Sequence, residues 1–254
     1  MSLWTLLEPA SIAVDPGSSG TATLRLRNDG DTVEEYQLAV VGAPAAWARI
    51  EPAVVRLFPG TRGQAEVTFR PPRAPEALAG LTAYGISVRS RQNPAVFDVA
   101  EGSVTVSAFG DVRAELFPLT VKGRLAGRPG LTVRNLSNAP LTAVVQARDD
   151  EDVLTFRPWP QVLQVPPGGT ATSEVKISPR GIRLLRGDSR HTYAATVVPS
   201  VAGATGLPDR LETRGTFVRR PVMPRFLLFA LVLLVVLVGL GAGVYYGAGL
   251  NTNG

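Results

Sequence analysis

Apolar and polar residues alternate along several short stretches of the chain. In the stretch TATLRLRN, Ala22, Leu24 and Leu26 alternate with threonine and arginine. The stretch QAEVTF repeats the pattern with Ala65, Val67 and Phe69. A period of two places one side of a β-strand in a core and the other in water. Further strands are predicted at EYQLAV, VVRLF, AYGISV, SVTVSAF and SIAV, which gives about seven strands in a unit of roughly 105 residues.

Turn-forming residues separate these predicted strands. The sequences DPGSSG, NDGD, FPGTRG and RQNPA lie between them and are rich in the residues that favour turns. The chain has 26 glycines and 21 prolines among 254 residues, which favours many short strands over long helices. Short strands with a turn every dozen or so residues predict an all-β fold of immunoglobulin-like β-sandwiches, with no helix ahead of the C-terminal region.

The chain contains an internal repeat. LRLRNDGDTVEEYQLAVVG matches LTVRNLSNAPLTAVVQARD, and VVRLFPGTRGQAEVTFRPP matches VLQVPPGGTATSEVKISPR. LTAYGISVRS matches HTYAATVVPS, and the offset stays between 107 and about 109 over the three blocks. A constant offset indicates two copies of one unit. We therefore predict two tandem sandwiches, in residues 1–108 and 109–218.

A run of 21 uncharged residues, 226–246, lies near the end of the sequence. As a helix it would be about 31 Å long, close to the roughly 30 Å hydrocarbon core of a bilayer. Tyr245 and Tyr246 lie at its far end, where aromatic rings favour the membrane interface. The pattern predicts a single transmembrane helix, preceded by a basic linker at 219–225 and followed by a short external tail at 247–254.

Three arginines predict the orientation of this helix. Arg219, Arg220 and Arg225 precede the run, and no lysine or arginine follows it. The positive-inside tendency therefore places residues 1–225 in the cytoplasm, in a tail-anchored protein of the cell membrane. The opening sequence MSLWTLLEPASIAVDPG has no basic n-region or sustained apolar stretch, unlike a signal peptide. The alternative, with the sandwiches outside the cell, would need a signal sequence supplied by an upstream start.

Three glycines spaced four apart mark one face of the predicted helix. Gly239, Gly243 and Gly247 form a small-xxx-small line, which lets two helices approach closely. The spacing makes this face a candidate for homodimerisation in the membrane, although glycine-rich spans also carry it by chance.

The sequence offers little of the chemistry that enzymes use. Cysteine is absent and His191 is the single histidine, and a lone histidine at the start of a strand is more typical of a surface or capping residue. The carboxylates of RDDEDV, at 149–152, could bind calcium weakly, but their spacing does not match an EF-hand and a solvated hairpin tip is favoured. No G-x-S-x-G nucleophile elbow occurs. We predict no catalytic residue, no cofactor and no metal.

Arginines also gather in RGIRLLRGDSR. This stretch contains Arg180, Arg183, Arg186 and Arg190, which could contact anionic headgroups or an acidic partner, or could form a solvated loop. The net charge is +5, but no dense basic stripe interleaved with aromatic residues appears, so nucleic acid is not an expected partner.

Turn and core positions of both copies resemble bacterial immunoglobulin-like modules of the NEW3 and CARDB type. The positions are Asn28, Trp47, Pro59, Gly60 and Pro71 in copy one, and Asn135, Pro167, Gly168 and Pro179 in copy two, where Trp159 is displaced toward the following strand. Such modules are typically binding or spacing elements. Similar tail-anchored proteins of actinomycetes are sometimes labelled "hydrolytic protein", and some look to be encoded beside phage-tail-like contractile injection particles.

These expectations together favour a non-enzymatic, membrane-anchored adaptor or scaffold. It would present two modules to a protein partner at the cytoplasmic membrane face, with the lipid bilayer as its other partner. The resemblance suggests a contractile injection particle as one candidate partner. The first alternative is an extracytoplasmic protein that binds envelope components or glycans, and the second is a hydrolase.

Overall fold

The computed structural model describes residues 3–181, 188–220 and 233–239 of the chain. Its first half has nine strands and a short 3-10 helix at Ala43–Trp47. The strands are β1 (Leu3–Glu8), β2 (Ser11–Val14), β3 (Gly20–Asn28), β4 (Glu34–Val41), β5 (Ala48–Glu51), β6 (Val54–Leu57), β7 (Arg62–Phe69), β8 (Gly80–Ser90) and β9 (Phe97–Val106).

The described part of the second half repeats this arrangement with nine more strands. They are β10 (Val112–Phe117), β11 (Thr120–Gly123), β12 (Gly130–Asn135), β13 (Leu141–Asp149), β14 (Leu154–Trp159), β15 (Val162–Val165), β16 (Thr170–Pro179), β17 (Ser189–Val201) and β18 (Leu211–Arg219). The prediction of an all-β chain is therefore confirmed for the described residues.

Each half folds as two sheets packed face to face, called here the first and the second sandwich. The first pairs a sheet of order β1-β3-β7-β5 with one of order β2-β9-β8-β4-β6. The second pairs β10-β12-β16-β14 with β11-β18-β17-β13-β15. Neighbouring strands are antiparallel except β2 with β9 and β11 with β18, which are parallel. The same strand order in both halves agrees with the sequence repeat.

A separate apolar core fills each sandwich. In the first, Phe69 packs against Tyr84 with ring centroids 4.6 Å apart and against Trp47 at 6.0 Å. In the second, Phe217 and Leu131 are fully buried. The predicted alternation is confirmed at Ala22, Leu24 and Leu26 and at residues 65, 67 and 69, whose side chains all face the core.

The expected number of strands per unit was too low, because the structure has nine in each half. Strand β1 precedes the predicted first strand SIAV, and it was missed because its outward residues Trp4 and Leu6 are apolar, which hides the alternation. Strand β5 is only four residues long and directly follows the 3-10 helix.

Two of the asparagines that carry the family resemblance are fully buried and make matching hydrogen bonds. Asn28 donates to the backbone oxygens of Thr32 at 2.8 Å and Leu57 at 3.2 Å. Asn135 donates to those of Ala139 at 2.9 Å and Val165 at 3.0 Å. Each asparagine thus ties the end of one sheet to a loop of the other, which is a structural role.

The predicted transmembrane helix lies mostly outside the described residues. Within 226–246 the structure describes a helix over 233–239 whose apolar side chains are exposed. Among the described residues, no helix has the length and apolar character needed to cross a bilayer.

Candidate functional site

The two sandwiches meet at Asn138, which is 1% exposed. Its side-chain amide donates to the backbone oxygens of Ala77 and Ser107, both at 3.0 Å. Its side-chain oxygen accepts the backbone N–H of Phe109 at 3.0 Å, and its backbone oxygen accepts that of Ala79 at 2.9 Å. One buried residue therefore joins the β7–β8 loop of the first sandwich, the linker and the second sandwich. We call this contact the junction.

Further contacts close the junction. The guanidinium of Arg73 lies 4.5 Å from the ring centroid of Phe109, which is 3% exposed, so the ring and the cation are stacked. The backbone N–H of Gly110 donates to Thr205 at 3.1 Å. These contacts involve the end of the first sandwich where β9 finishes and the end of the second sandwich where β10 begins. The sandwiches are therefore stacked head to tail.

The opposite end of the second sandwich, where β18 finishes, is called here the exit end. Gly123 pairs with Arg219 in the β11–β18 ladder, and the backbone N–H of Arg220 donates to the oxygen of Gly123 at 2.9 Å. The segment 119–125, which includes β11, lies beside this point. Two leucines of this segment, Leu119 and Leu125, are 57% and 64% exposed.

The arginines assigned to membrane orientation occupy different environments. Arg219 is the last residue of β18 and only 8% exposed, and its guanidinium donates to the backbone oxygen of Gly181. It is therefore held within the second sandwich. Arg220 is exposed beside it, and Arg225 lies outside the described residues.

The proposed basic contact loop is described only at its edges. Arg180 forms an ion pair with Asp152, with 2.6 Å between the guanidinium nitrogen and the carboxylate oxygen. Arg190 lies in β17 and is exposed, whereas Arg183 and Arg186 lie outside the described residues. The positive charge of Arg180 is thus partly neutralised by the carboxylate cluster at 149–152.

One of the three glycines of the proposed dimer face is described. Gly239 lies in the helix 233–239, and an added Cβ there would meet no described atom within 4 Å. Gly243 and Gly247 lie outside the described residues. The close approach of two helices at this face remains a prediction.

His191 has specific partners, which the sequence did not reveal. Its Nδ1 lies 2.8 Å from Glu151 Oε2 and its Nε2 lies 3.0 Å from Ser189 Oγ, and its side chain is 12% exposed. The carboxylate favours the tautomer with a proton on Nδ1, so that Nε2 accepts the hydroxyl proton of Ser189. Hydroxyl, imidazole and carboxylate follow one another here in the order used by serine hydrolases.

A hydrolase needs more than this alignment. Its carboxylate is normally held rigidly, and oxyanion donors must face the reacting carbonyl. Here the carboxylate, that of Glu151, is 64% exposed to solvent. The residue paired with Ser189 across the strands is the cationic Arg219, and its guanidinium donates to the backbone oxygen of Gly181. The contacts of His191 tie the turn after β13 to the start of β17, and we interpret this link as the role of the lone histidine.

The acidic turn is organised by its own carboxylates. Asp149 accepts the backbone N–H groups of Val153 at 2.8 Å and Leu154 at 3.1 Å, Glu151 contacts His191, and Asp152 pairs with Arg180. Three of the four carboxylates of the cluster thus have partners within the chain. Tyr193 in β17 is the cross-strand partner of Asp149, and burial raises the pKa of its hydroxyl to about 12.

A groove of mixed character lies at the far end of the first sandwich. It is lined by Trp4, Arg25, Arg62 and Gln64 on the outer face of the β1-β3-β7-β5 sheet. Trp4 is 41% exposed, and the guanidinium of Arg27 lies 5.7 Å from its ring centroid. An exposed tryptophan surrounded by arginines is the composition that binding hot spots favour. We call this surface the Trp4 groove.

Two exposed aromatic residues mark the outer face of the second sandwich. Phe117 and Trp159 are 80% and 79% exposed. The pairing register places them in one row, Phe117–Gly130–Glu174–Trp159, across four strands. The corresponding row of the first sandwich is Glu8–Thr23–Glu66–Glu51, without an aromatic residue. The two sandwiches therefore present different outer surfaces on the same framework.

No protein-family model matches the chain, and no curated protein matches it. Among solved structures, it is similar to a protein of unknown function from Porphyromonas gingivalis W83, with 16% identity over 85% of this chain and 99% of that one and a TM-score of 0.33. The D00-D0 domain of intimin matches at 11% identity over 84% and 99%, with a TM-score of 0.35. A family 123 glycoside hydrolase from Clostridium perfringens matches at 9% identity over 41% of this chain and 27% of that one, with a TM-score of 0.34.

Proposed function

We propose that this chain is a membrane-anchored adaptor. Two immunoglobulin-like sandwiches form a stacked rod, and the apolar run 226–246 anchors the exit end in the cell membrane with the sandwiches in the cytoplasm. The junction is the observation that carries the proposal, because Asn138 is buried and fully hydrogen-bonded between the sandwiches. A locked junction holds the first sandwich at a fixed distance and angle from the anchor.

The Trp4 groove is the proposed contact for the protein partner. It lies on the side of the first sandwich near the end remote from the junction, where β1 begins and β3 ends, so it is far from the anchor. Anchoring confines many such grooves to a thin layer and raises the effective concentration of weak contacts with a large assembly. A phage-tail-like contractile injection particle is the candidate assembly that the family resemblance suggests.

Capture of partners by the full-length protein tests this proposal. The protein is purified from membranes in mild detergent, and its partners are identified by mass spectrometry. We expect the amount of the co-purified assembly to fall at least tenfold, relative to the native protein, when Trp4→Ala is combined with Arg62→Glu. Trp159→Ala is the matched control, since it removes an exposed tryptophan from the other sandwich and should leave recovery unchanged. Undiminished recovery with the Trp4 variant would exclude the groove as the contact.

The same preparation tests the anchor. A protein held by a transmembrane helix stays in the membrane after washing at high pH and high salt and needs detergent for release. Release by the wash alone would contradict anchoring through 226–246.

The exposed aromatic row favours a second candidate function, glycan binding outside the cell. Gly130 and Glu174 lie between Phe117 and Trp159 in this row, and the lack of a side chain at Gly130 leaves the surface beside the Phe117 ring open. The apolar faces of sugar rings stack on such aromatic surfaces. Binding of envelope polysaccharide that is lost in Trp159→Ala but not in Trp4→Ala would favour this function over the adaptor.

A further inference from the structure

The exit end carries an exposed segment of distinctive chemistry. Residues 119–125, called here the tip, contain Leu119 and Leu125, which are more than half exposed, and the exposed cations Lys122 and Arg124. No acidic residue occurs between 117 and 128. Exposed leucines beside cations are the combination that binds the interface of anionic membranes.

The equivalent segment of the first sandwich lacks this chemistry. At a constant offset of 109, Leu119, Lys122, Arg124 and Leu125 correspond to Ala10, Ala13, Asp15 and Pro16. The two segments share a fold, since β2 and β11 each add a parallel strand to the edge of the same sheet. The leucines and cations of the tip are therefore not required to build the sandwich.

The two equivalent ends also differ in what covers them. The end of the first sandwich where β9 finishes meets the second sandwich, where Arg73 stacks on Phe109. The end of the second sandwich is where the chain continues toward the apolar run. The counterparts Ala10, Ala13 and Asp15 in the first sandwich are also exposed, so the two segments differ in their chemistry and not in their exposure.

Chain length limits how far the tip can lie from the proposed membrane span. The backbone N–H of Arg220 donates to Gly123 within the tip, and the apolar run begins at Phe226. Six extended residues reach at most about 20 Å. The tip is thus held within about 20 Å of the point where the run begins.

Charge is unevenly distributed over the exit end, with the acidic turn on one side and the cations of the tip on the other. The turn at 149–153 follows β13, which is three strands from β11 in the sheet, or about 14 Å. An anionic surface attracts the tip and repels the uncompensated part of the turn. The second sandwich should therefore lean onto its β11 edge.

From these observations we propose that the tip docks on the anionic surface of the bilayer that anchors the chain, with Leu119 and Leu125 in the headgroup region and Lys122 and Arg124 against lipid phosphates. This inference rests on the proposed membrane anchor. Its consequence is that the lipid surface, and not the linker alone, sets the angle of the rod.

Single-cysteine labelling of the full-length protein tests the proposal, because the chain has no native cysteine. Leu125→Cys places an environment-sensitive fluorophore on the tip, Asp150→Cys places it on the acidic turn, and Leu81→Cys places it on the first sandwich, where residue 81 is 71% exposed. The proteins are reconstituted in phosphatidylcholine vesicles containing phosphatidylglycerol. Nitroxide-bearing lipids report contact with the bilayer, and iodide reports contact with water.

We expect lipid nitroxides to quench the label at 125 several-fold more than the label at 150, and to leave the label at 81 unquenched. Quenching at 125 should fall at least twofold in pure phosphatidylcholine, and also when Lys122→Glu and Arg124→Glu are added. Circular dichroism checks that the charge variant retains its strands.

Two results would overturn the docking while leaving the anchor intact. In one, the protein floats with the vesicles but the label at 125 is quenched by iodide as strongly as the label at 81. In the other, that label is shielded from both quenchers, which would mean that protein covers the tip. Failure of the protein to float with vesicles would overturn both the anchor and the docking.

Discussion

The junction makes a quantitative prediction about Asn138. The Asn138→Ala substitution removes three side-chain hydrogen bonds, to the backbone oxygens of Ala77 and Ser107 and from the backbone N–H of Phe109. All three partner groups are main-chain atoms around a side chain that is 1% exposed. The variant therefore leaves polar groups at the interface that only entering water can satisfy.

The expected magnitude follows from the number of bonds. Each buried hydrogen bond contributes a net free energy of about 1 kcal/mol. Two of the three, to Ala77 and Ser107, join the second sandwich to the first, so they stabilise the stacked arrangement by about 2 kcal/mol. That free energy corresponds to a rise on the order of 30-fold in the population of unstacked molecules. The stack of Arg73 on Phe109 and the backbone bond from the N–H of Ala79 to the oxygen of residue 138 remain and limit the effect.

Pulsed electron spin resonance on spin labels at Glu66→Cys and Arg157→Cys measures this change in the full-length protein in detergent. Both positions are exposed, and one lies on each sandwich. We expect one narrow distance distribution for the native junction and a broad one for Asn138→Ala. Asn28→Ala is the matched control, because Asn28 makes three comparable bonds inside the first sandwich, remote from the junction. The control should lower stability and keep the distribution narrow.

A distance distribution as narrow in Asn138→Ala as in the native protein would show that the Asn138 side chain does not hold the sandwiches stacked. It would mean that the remaining contacts alone fix the angle between the sandwiches.

Three further predictions concern the second sandwich. In Gly215→Ala, the new Cβ would lie 2.5 Å from the end of the Tyr193 ring, so we expect a loss of about 1–3 kcal/mol, visible as a lower thermal midpoint; an unchanged midpoint would contradict the packing. Because burial raises the pKa of Tyr193 to about 12, the unfolded chain releases this proton near pH 10, before the folded chain does, and stability should fall between pH 10 and 12, by about 3 kcal/mol at most. Urea midpoints should decline less over this range in Tyr193→Phe, and an equal decline would argue against the shift. Since the contacts of His191 are interpreted as structural, a fluorophosphonate probe should not label Ser189 in the full-length protein; labelling that disappears in His191→Ala would instead indicate a serine nucleophile.

The sequence was most informative where structure is local. Alternation identified β3 and β7 because their outward residues are polar, and the repeat located the second copy of each strand. Strand β1 was missed because its outward residues Trp4 and Leu6 are apolar. The stretch therefore shows no alternation of apolar and polar residues. Trp159 resembled a displaced core tryptophan, yet the register of β14 points it to solvent.

The candidate sites depend on contacts that are distant in sequence. His191 and Glu151 are 40 residues apart and meet because β13 and β17 are neighbouring strands. The sequence around His191 therefore gave no indication that Glu151 is its partner. Asn138 lies in a turn of the sequence with no special pattern, and its partners Ala77 and Ser107 are 61 and 31 residues away along the chain. The tip could have been found from the repeat alone, because Lys122 and Arg124 replace Ala13 and Asp15 at a constant offset.

Whether the sandwiches lie inside or outside the cell is decided by labelling a single cysteine from either side of the membrane. Leu81→Cys gives the full-length chain a single, exposed thiol on the first sandwich. A membrane-impermeant maleimide is applied to intact cells and to permeabilised cells. For a cytoplasmic adaptor we expect labelling only after permeabilisation, and efficient labelling of intact cells would contradict that location.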